Sequence, residues 1–136
     1  MLTDTTPLYA LLDDRDQAHA RAVAAFTRLE KEAFAVTCPL PALLELHRLL
    51  VVRKPSRTRE AQRLLEDVFD TFGVEMPVRE DIEEARQTLR RYSDQKITLA
   101  DVTIAAMAVR LGVHVLTFDK RHFALMGARV YGEGSA

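Results

Sequence analysis

The sequence predicts an α/β layered domain with a mainly parallel sheet, and three observations predict it. Short apolar runs alternate with helical patterns along the chain. Residues 113–118, Val-His-Val-Leu-Thr-Phe, read as a strand buried on both faces. Residues 102–109, Val-Thr-Ile-Ala-Ala-Met-Ala-Val, are too hydrophobic for anything but a buried helix.

Taken in order, residues 1–3 form a short first strand. Thr5-Thr6-Pro7 then starts a helix, with a hydroxyl residue as its cap and Pro where a missing N–H costs nothing. That helix runs through Leu12 and breaks at Asp13-Asp14-Arg15-Asp16, read as a solvated loop. A second helix over 19–31 places Ala22, Val23, Phe26 and Leu29 on one face. Residues 34–37, Phe-Ala-Val-Thr, read as the second strand, and after Pro39 and Pro41 comes a helix over 42–50. A further amphipathic helix spans 56–71. Residues 74–78 make a third strand, which Pro77 confines to a sheet edge. Residues 82–92 are helical, followed by the helix headed by Asp101, the strand at 113–118, a turn over 120–126 and a short last strand at 129–131.

A chain of 136 residues is expected to form one domain over 1–136, large enough to bury a core without staples. Apolar residues make up 48% and aromatics only 7%, so that core is aliphatic. A net charge of −1 excludes a globally cationic nucleic-acid binder and leaves only local basic patches for that task. Cys38 is the only cysteine, which excludes an internal disulfide and suits a reducing compartment. One Cys and four scattered His do not make a structural zinc site. With no targeting signal and no apolar run near the roughly 18 residues of a membrane span, the expectation is a soluble, cytoplasmic protein.

The chemistry resides in carboxylates at the ends of core elements. Asp4 ends the first strand, Asp101 heads the most apolar helix, and Asp119 closes the 113–118 strand. Acids at the C-terminal ends of parallel strands face a common crevice, and gathered acids invite a hard divalent cation. Each has a plainer reading. Thr98 and Asp101 have capping-box spacing, Asp119 is placed to cap the following segment, and Asp4 to cap the helix after it. Glu45 interrupts the apolar run of 43–46 and is read either as inward-facing or as an ordinary solvated Glu. Asp94 suits a loop role, and His19, His47, His114 and His122 are not arranged as a ligand set.

These residues resemble the PIN domain, specifically the VapC-like ribonuclease toxins of bacterial toxin–antitoxin pairs. The resemblance covers essentially the whole chain. It rests on Asp4-Thr5-Thr6, on Glu45 within 42–46, on Asp101 within 97–106 and on Asp119 within 116–123. Each motif is weak alone; four in order are fairly specific. The chain departs from the pattern in its very short first strand, in Thr6 where Ser is commoner, and in Pro7.

The resemblance implies a three-layer fold, a mainly parallel five-stranded sheet flanked by helices, with Asp4, Glu45, Asp101 and Asp119 binding Mg2+ or Mn2+. It also implies endoribonuclease activity, homodimer formation and inhibition by a cognate antitoxin. Arg53, Lys54, Arg57, Arg59, Lys120 and Arg121 would attract RNA, Thr117 would donate a hydrogen bond at the same rim, and helix faces at 43–50 and 64–69 would receive a protein partner or pack in the core. The competing reading is a PIN-like regulatory module that holds RNA or protein without cutting it. A receiver-type switch is disfavoured because Asp4 has no acidic neighbour, and a haloacid-dehalogenase-like phosphatase because Thr6 stands where a second Asp is needed.

Overall fold

The computed structural model describes residues 1–53 and 57–132. In chain order the elements are β1 (Leu2–Thr3), α1 (Thr5–Leu12), α2 (His19–Lys31), β2 (Cys38–Pro39), α3 (Leu40–Arg53) and α4 (Thr58–Phe72). There follow β3 (Val74–Glu75), α5 (Arg79–Arg91), α6 (Leu99–Leu111), β4 (Val115–Leu116) and α7 (Lys120–Leu125).

The strands are short but all run parallel. β1 pairs with β4 and β2 with β3. A bridge between Leu2 and Thr37 joins the two pairs, and a bridge from Val115 to Val130 adds a fifth line. The order is therefore β3, β2, β1, β4 and the Val130 segment. Flanking hydrogen bonds extend the ladder, among them Leu2 N–H to His114 O (3.0 Å) and Asp4 N–H to Leu116 O (2.8 Å). β1 sits at the centre, so its C-terminal residue, Asp4, emerges mid-rim. β3 lies at the edge, as expected, but it ends at Glu75, so Pro77 falls outside the strand expected over 74–78.

The second strand is displaced from its expected place. Pairing falls on Thr37, Cys38 and Pro39, while Phe34 is 46% exposed and meets Tyr131 edge-on. Pro39 is tolerated because it is the last strand residue and passes straight into α3. Pro41 lies in the first turn of α3, so that helix starts two residues earlier than expected.

α6 is enclosed from Val102 to Ala108, which explains its uniformly apolar sequence. It ends where Gly112 adopts the left-handed conformation (φ 68°), returning its N–H to Ala108 and Val109 carbonyls. Leu8, Leu46, Leu50, Ile104, Met107 and Phe123 form the centre of the core. α5 starts at Arg79, earlier than expected, because the Asp81 carboxylate accepts from Val78 N–H at 2.8 Å. The same buried carboxylate receives the Arg110 guanidinium at 2.9–3.2 Å, clamping α5 to α6. The expected turn over 120–126 is instead the short helix α7. Among the described residues no helix is long and apolar enough to cross a membrane.

Candidate metal-binding active site

Asp4 leaves β1 with extended backbone (φ −74°, ψ 167°) and caps α1: one carboxylate oxygen accepts from Thr5 N–H at 2.8 Å. This corrects the expectation of a hydroxyl cap, since Thr5 and Thr6 already lie inside the helix. A carboxylate reaches the backbone N–H of the first turn and also meets the positive end of the helix dipole. The other oxygen of Asp4 accepts from the Thr117 hydroxyl at 3.0 Å. Thr117 in turn accepts from Asp119 N–H at 2.9 Å, so one hydroxyl ties the ends of β1 and β4 together.

Asp101 takes part in a reciprocal cap. Its N–H donates to Thr98 Oγ1 at 3.1 Å, and its carboxylate accepts from Thr98 N–H at 3.3 Å. The plain capping reading is thus realised, and the same side chain faces the other acids. Glu45 is half-buried on α3, between the exposed Leu44 and the buried Leu46.

Electrostatics tie three acids together. Burial and then the Asp101 charge push the Asp4 carboxyl up to about 7, with a smaller contribution from Glu45; the bonds from Thr5 and Thr117 oppose the rise. Glu45 is also raised, by burial and by Asp101, while Thr5 and Arg48 favour its charged form. Thr5 Oγ1 is buried beside them with no hydrogen bond of standard geometry. Two unit charges about 4 Å apart repel by about 4 kcal/mol at an effective dielectric of about 20, so this arrangement gains from a counter-cation. Its donors are all oxygen, the set a hard divalent ion prefers. Among the described residues no three His, Cys, Asp or Glu side chains stand together as a metal-binding group.

Asp119 is only linked to this group, not folded into it. Its side chain is 45% exposed and its carboxylate meets His122 Nδ1 at 2.9 Å. The His122 contact, one turn further along α7, was not foreseen from the sequence.

A family model described as the PIN domain matches residues 1–128. The chain belongs to the PIN domain family. Its fold is similar to that of Mycobacterium tuberculosis VapC20, a toxin that cleaves the sarcin–ricin loop: TM-score 0.76, 24% identity, covering 93% of this chain and 95% of that one. It is also similar to VapBC2 from Rickettsia felis, solved with a DNA fragment from their promoter, with TM-score 0.73, 14% identity and 95% and 94% coverage. FitAcB from Neisseria gonorrhoeae gives TM-score 0.71, 22% identity and 99% coverage of both chains. No curated protein sequence matches the chain.

The structure changes some of the other sequence expectations for this PIN domain and keeps others. Asp13 is not solvated: it is buried and accepts from the Tyr9 hydroxyl at 2.8 Å. Asp94 is exposed in the turn before α6. Among the basic residues, Arg53 lies over the Tyr9 ring at 4.8 Å and Arg57 pairs with Glu60, while Arg59 and Arg121 are exposed. Lys54, and Ser56 at the expected start of α4, lie outside the described residues. Leu43, Leu46 and Leu50 belong to the core, which leaves Leu44 and Phe69 as exposed members of the two helix faces. Thr5 escaped the sequence reading as a site residue; its position directly after a strand-end acid was the available signal.

Proposed function

We propose that this PIN domain, read as one unit over 1–136, is a metal-dependent endoribonuclease. In this reading Mg2+ or Mn2+ is held among Asp4, Glu45, Asp101 and Asp119. The observation that carries it is the buried Asp4 carboxyl facing Asp101 and Glu45 at the C-terminal rim of a parallel sheet. A divalent cation there would activate water and offset charge on the leaving oxygen of an RNA phosphodiester.

The chain's own residues supply position. Thr5 N–H and the Thr117 hydroxyl fix both oxygens of Asp4, and the Thr98 cap fixes Asp101 on a buried helix. Glu45 is half-buried, and Asp119 is exposed and paired with His122. No protein nucleophile is needed, and Cys38 does not offer one: it is fully buried and its thiol is pushed up to about 12.

The likeness to VapC20, VapBC2 and FitAcB supports a toxin held by a cognate antitoxin, and a homodimer belongs to the same reading. An apolar groove lined by Leu44, Pro77, Ile82 and Leu99 borders Glu45 and offers a protein partner such a surface. The test is metal-dependent cleavage of RNA by the wild type and Asp101→Asn. Loss of cleavage in the variant is expected. Equal activity in both would end the assignment, and inactivity of both in every divalent metal would leave a module that holds RNA or protein without cutting it.

A further inference from the structure

A second feature shares Thr117 with the acidic site. A cleft of about 210 Å3 opens between α2 and the β4–α7 turn, walled by Arg21, Arg28, Thr117, Phe118, Lys120 and Tyr131 among others. It is smaller than the roughly 300–1,000 Å3 of a drug-sized ligand site, and suits a phosphate with part of its sugar. Three cations line it in a chain whose net charge is −1.

The cations differ in what they already hold. Arg28 pairs with Glu32 at 2.9 Å. Arg21 and Lys120 have no carboxylate partner among the described residues. The Arg21 guanidinium lies over the Phe118 ring, 4.2 Å from its centroid. A guanidinium laid on an aromatic face keeps its N–H edge free and loses little rotamer freedom when it binds an oxyanion. Lys120 reaches across to the Gly132 wall of the cleft, where its ammonium nitrogen would stand 3.4 Å from a Cβ added at Gly132.

We propose that this cleft is a phosphate-positioning subsite, in which Arg21 and Lys120 hold a backbone phosphate of single-stranded RNA next to the one being cut. The proposal rests on the ribonuclease reading for its substrate. The acids repel every phosphate except the one a cation neutralises, so a strand crossing the rim needs a positive anchor at the adjoining position. Thr117 joins the two sites: its hydroxyl holds Asp4 and its residue walls the cleft. An acidic peptide would bring carboxylates against the same acids without such compensation. Contacts of this kind position a strand without reading its sequence.

The test is fluorescence anisotropy of a short, unstructured, end-labelled RNA with the full chain in chelator, over a NaCl series. Arg21→Gln and Lys120→Gln are each expected to weaken binding about fivefold. Each is also expected to lower the slope of log affinity against log salt by about 0.7, equally for different RNA sequences. Arg63→Gln, the same charge change on α4 outside the cleft, is the control and should shift affinity by less than about twofold. Unchanged binding by Arg21→Gln and Lys120→Gln, no binding by the wild type, an equal loss in Arg63→Gln, or equal competition by a polyglutamate peptide would each overturn the subsite. Thermal melts of each variant separate misfolding from lost contacts. Binding needs no cleavage, so a selective loss of affinity in variants of a protein that cuts no RNA would sustain the subsite and reject the nuclease.

Discussion

Asp4 carries two opposed demands, a rigid place in the sheet rim and a charge that its surroundings resist. Its carboxyl rises from an ordinary value of 3.8 to about 7, first through burial and then through Asp101. Folding therefore takes up a proton between about pH 4 and about pH 7, and stability falls as pH rises through that window. Above pH 7 the Asp4 contribution is flat. The metal-free protein is expected to lose at most roughly 4 kcal/mol across this range from Asp4, at ~1.4 kcal/mol per unit. Asp4→Asn should flatten that part of the profile in urea melts run with chelator. Thr117→Val removes a bond that favours the Asp4 carboxylate, so the acid limb of the pH–rate profile should move to higher pH. A positioning change of this sort costs about 10- to 100-fold in activity or metal affinity. At this scale Asp4 and Asp101 were legible because each bounds an apolar run. The turn of Asp119 toward His122 was not, because short-range side-chain pairing leaves no hydrophobic pattern.

At the scale of elements, caps serve both stability and the site. Asp101 completes the Thr98 capping box and also faces Asp4. An Asn amide oxygen can still accept from Thr98 N–H, so Asp101→Asn should change stability by less than about 1 kcal/mol while cleavage is lost. Asp81 is the converse case. It is 2% exposed, holds Val78 N–H and carries the Arg110 ion pair between α5 and α6, yet it stands apart from the site. Asp81→Ala should cost about 2–3 kcal/mol, strands of evidence coming from urea midpoints, with cleavage per folded molecule retained. Helix positions were largely legible: α1 from its Thr-Thr-Pro start, α2 from its apolar face and α6 from its unbroken apolar run. Starts were less so: α3 begins before Pro41, and α5 begins at a Val78 cap that has no polar side chain to announce it. The second strand was misplaced because a two-residue strand is too short to show alternation, and Pro39 looked like its terminator rather than its last member.

For the whole molecule, topology converts scattered acids into one rim. The central position of β1 between β2 and β4 brings residue 4 beside residue 117, and α6 delivers residue 101 to the same end. The acidic motifs in the sequence named the residues, and the structure couples the charges of Asp4, Asp101 and Glu45. The sequence did not disclose that Asp119 stays half-exposed, nor that Arg21 stacks on Phe118 in a cleft shared with Lys120, since Arg21 lies almost a hundred residues from Phe118 in the chain. The molecule thus sets an acidic rim against a small cationic cleft within a nearly neutral whole. Raising salt should accordingly weaken RNA affinity far more than fold stability, a comparison that anisotropy and melting data make directly.

The proposal that Asp4, Glu45 and Asp101 hold a divalent cation is tested most directly by Mn2+ binding to the purified full chain, measured by calorimetry near pH 8. The expected result is saturable binding by the wild type, weakened at least about tenfold by Asp4→Asn and by Asp101→Asn. Equal Mn2+ affinity in all three proteins, or no binding by the wild type, would contradict it.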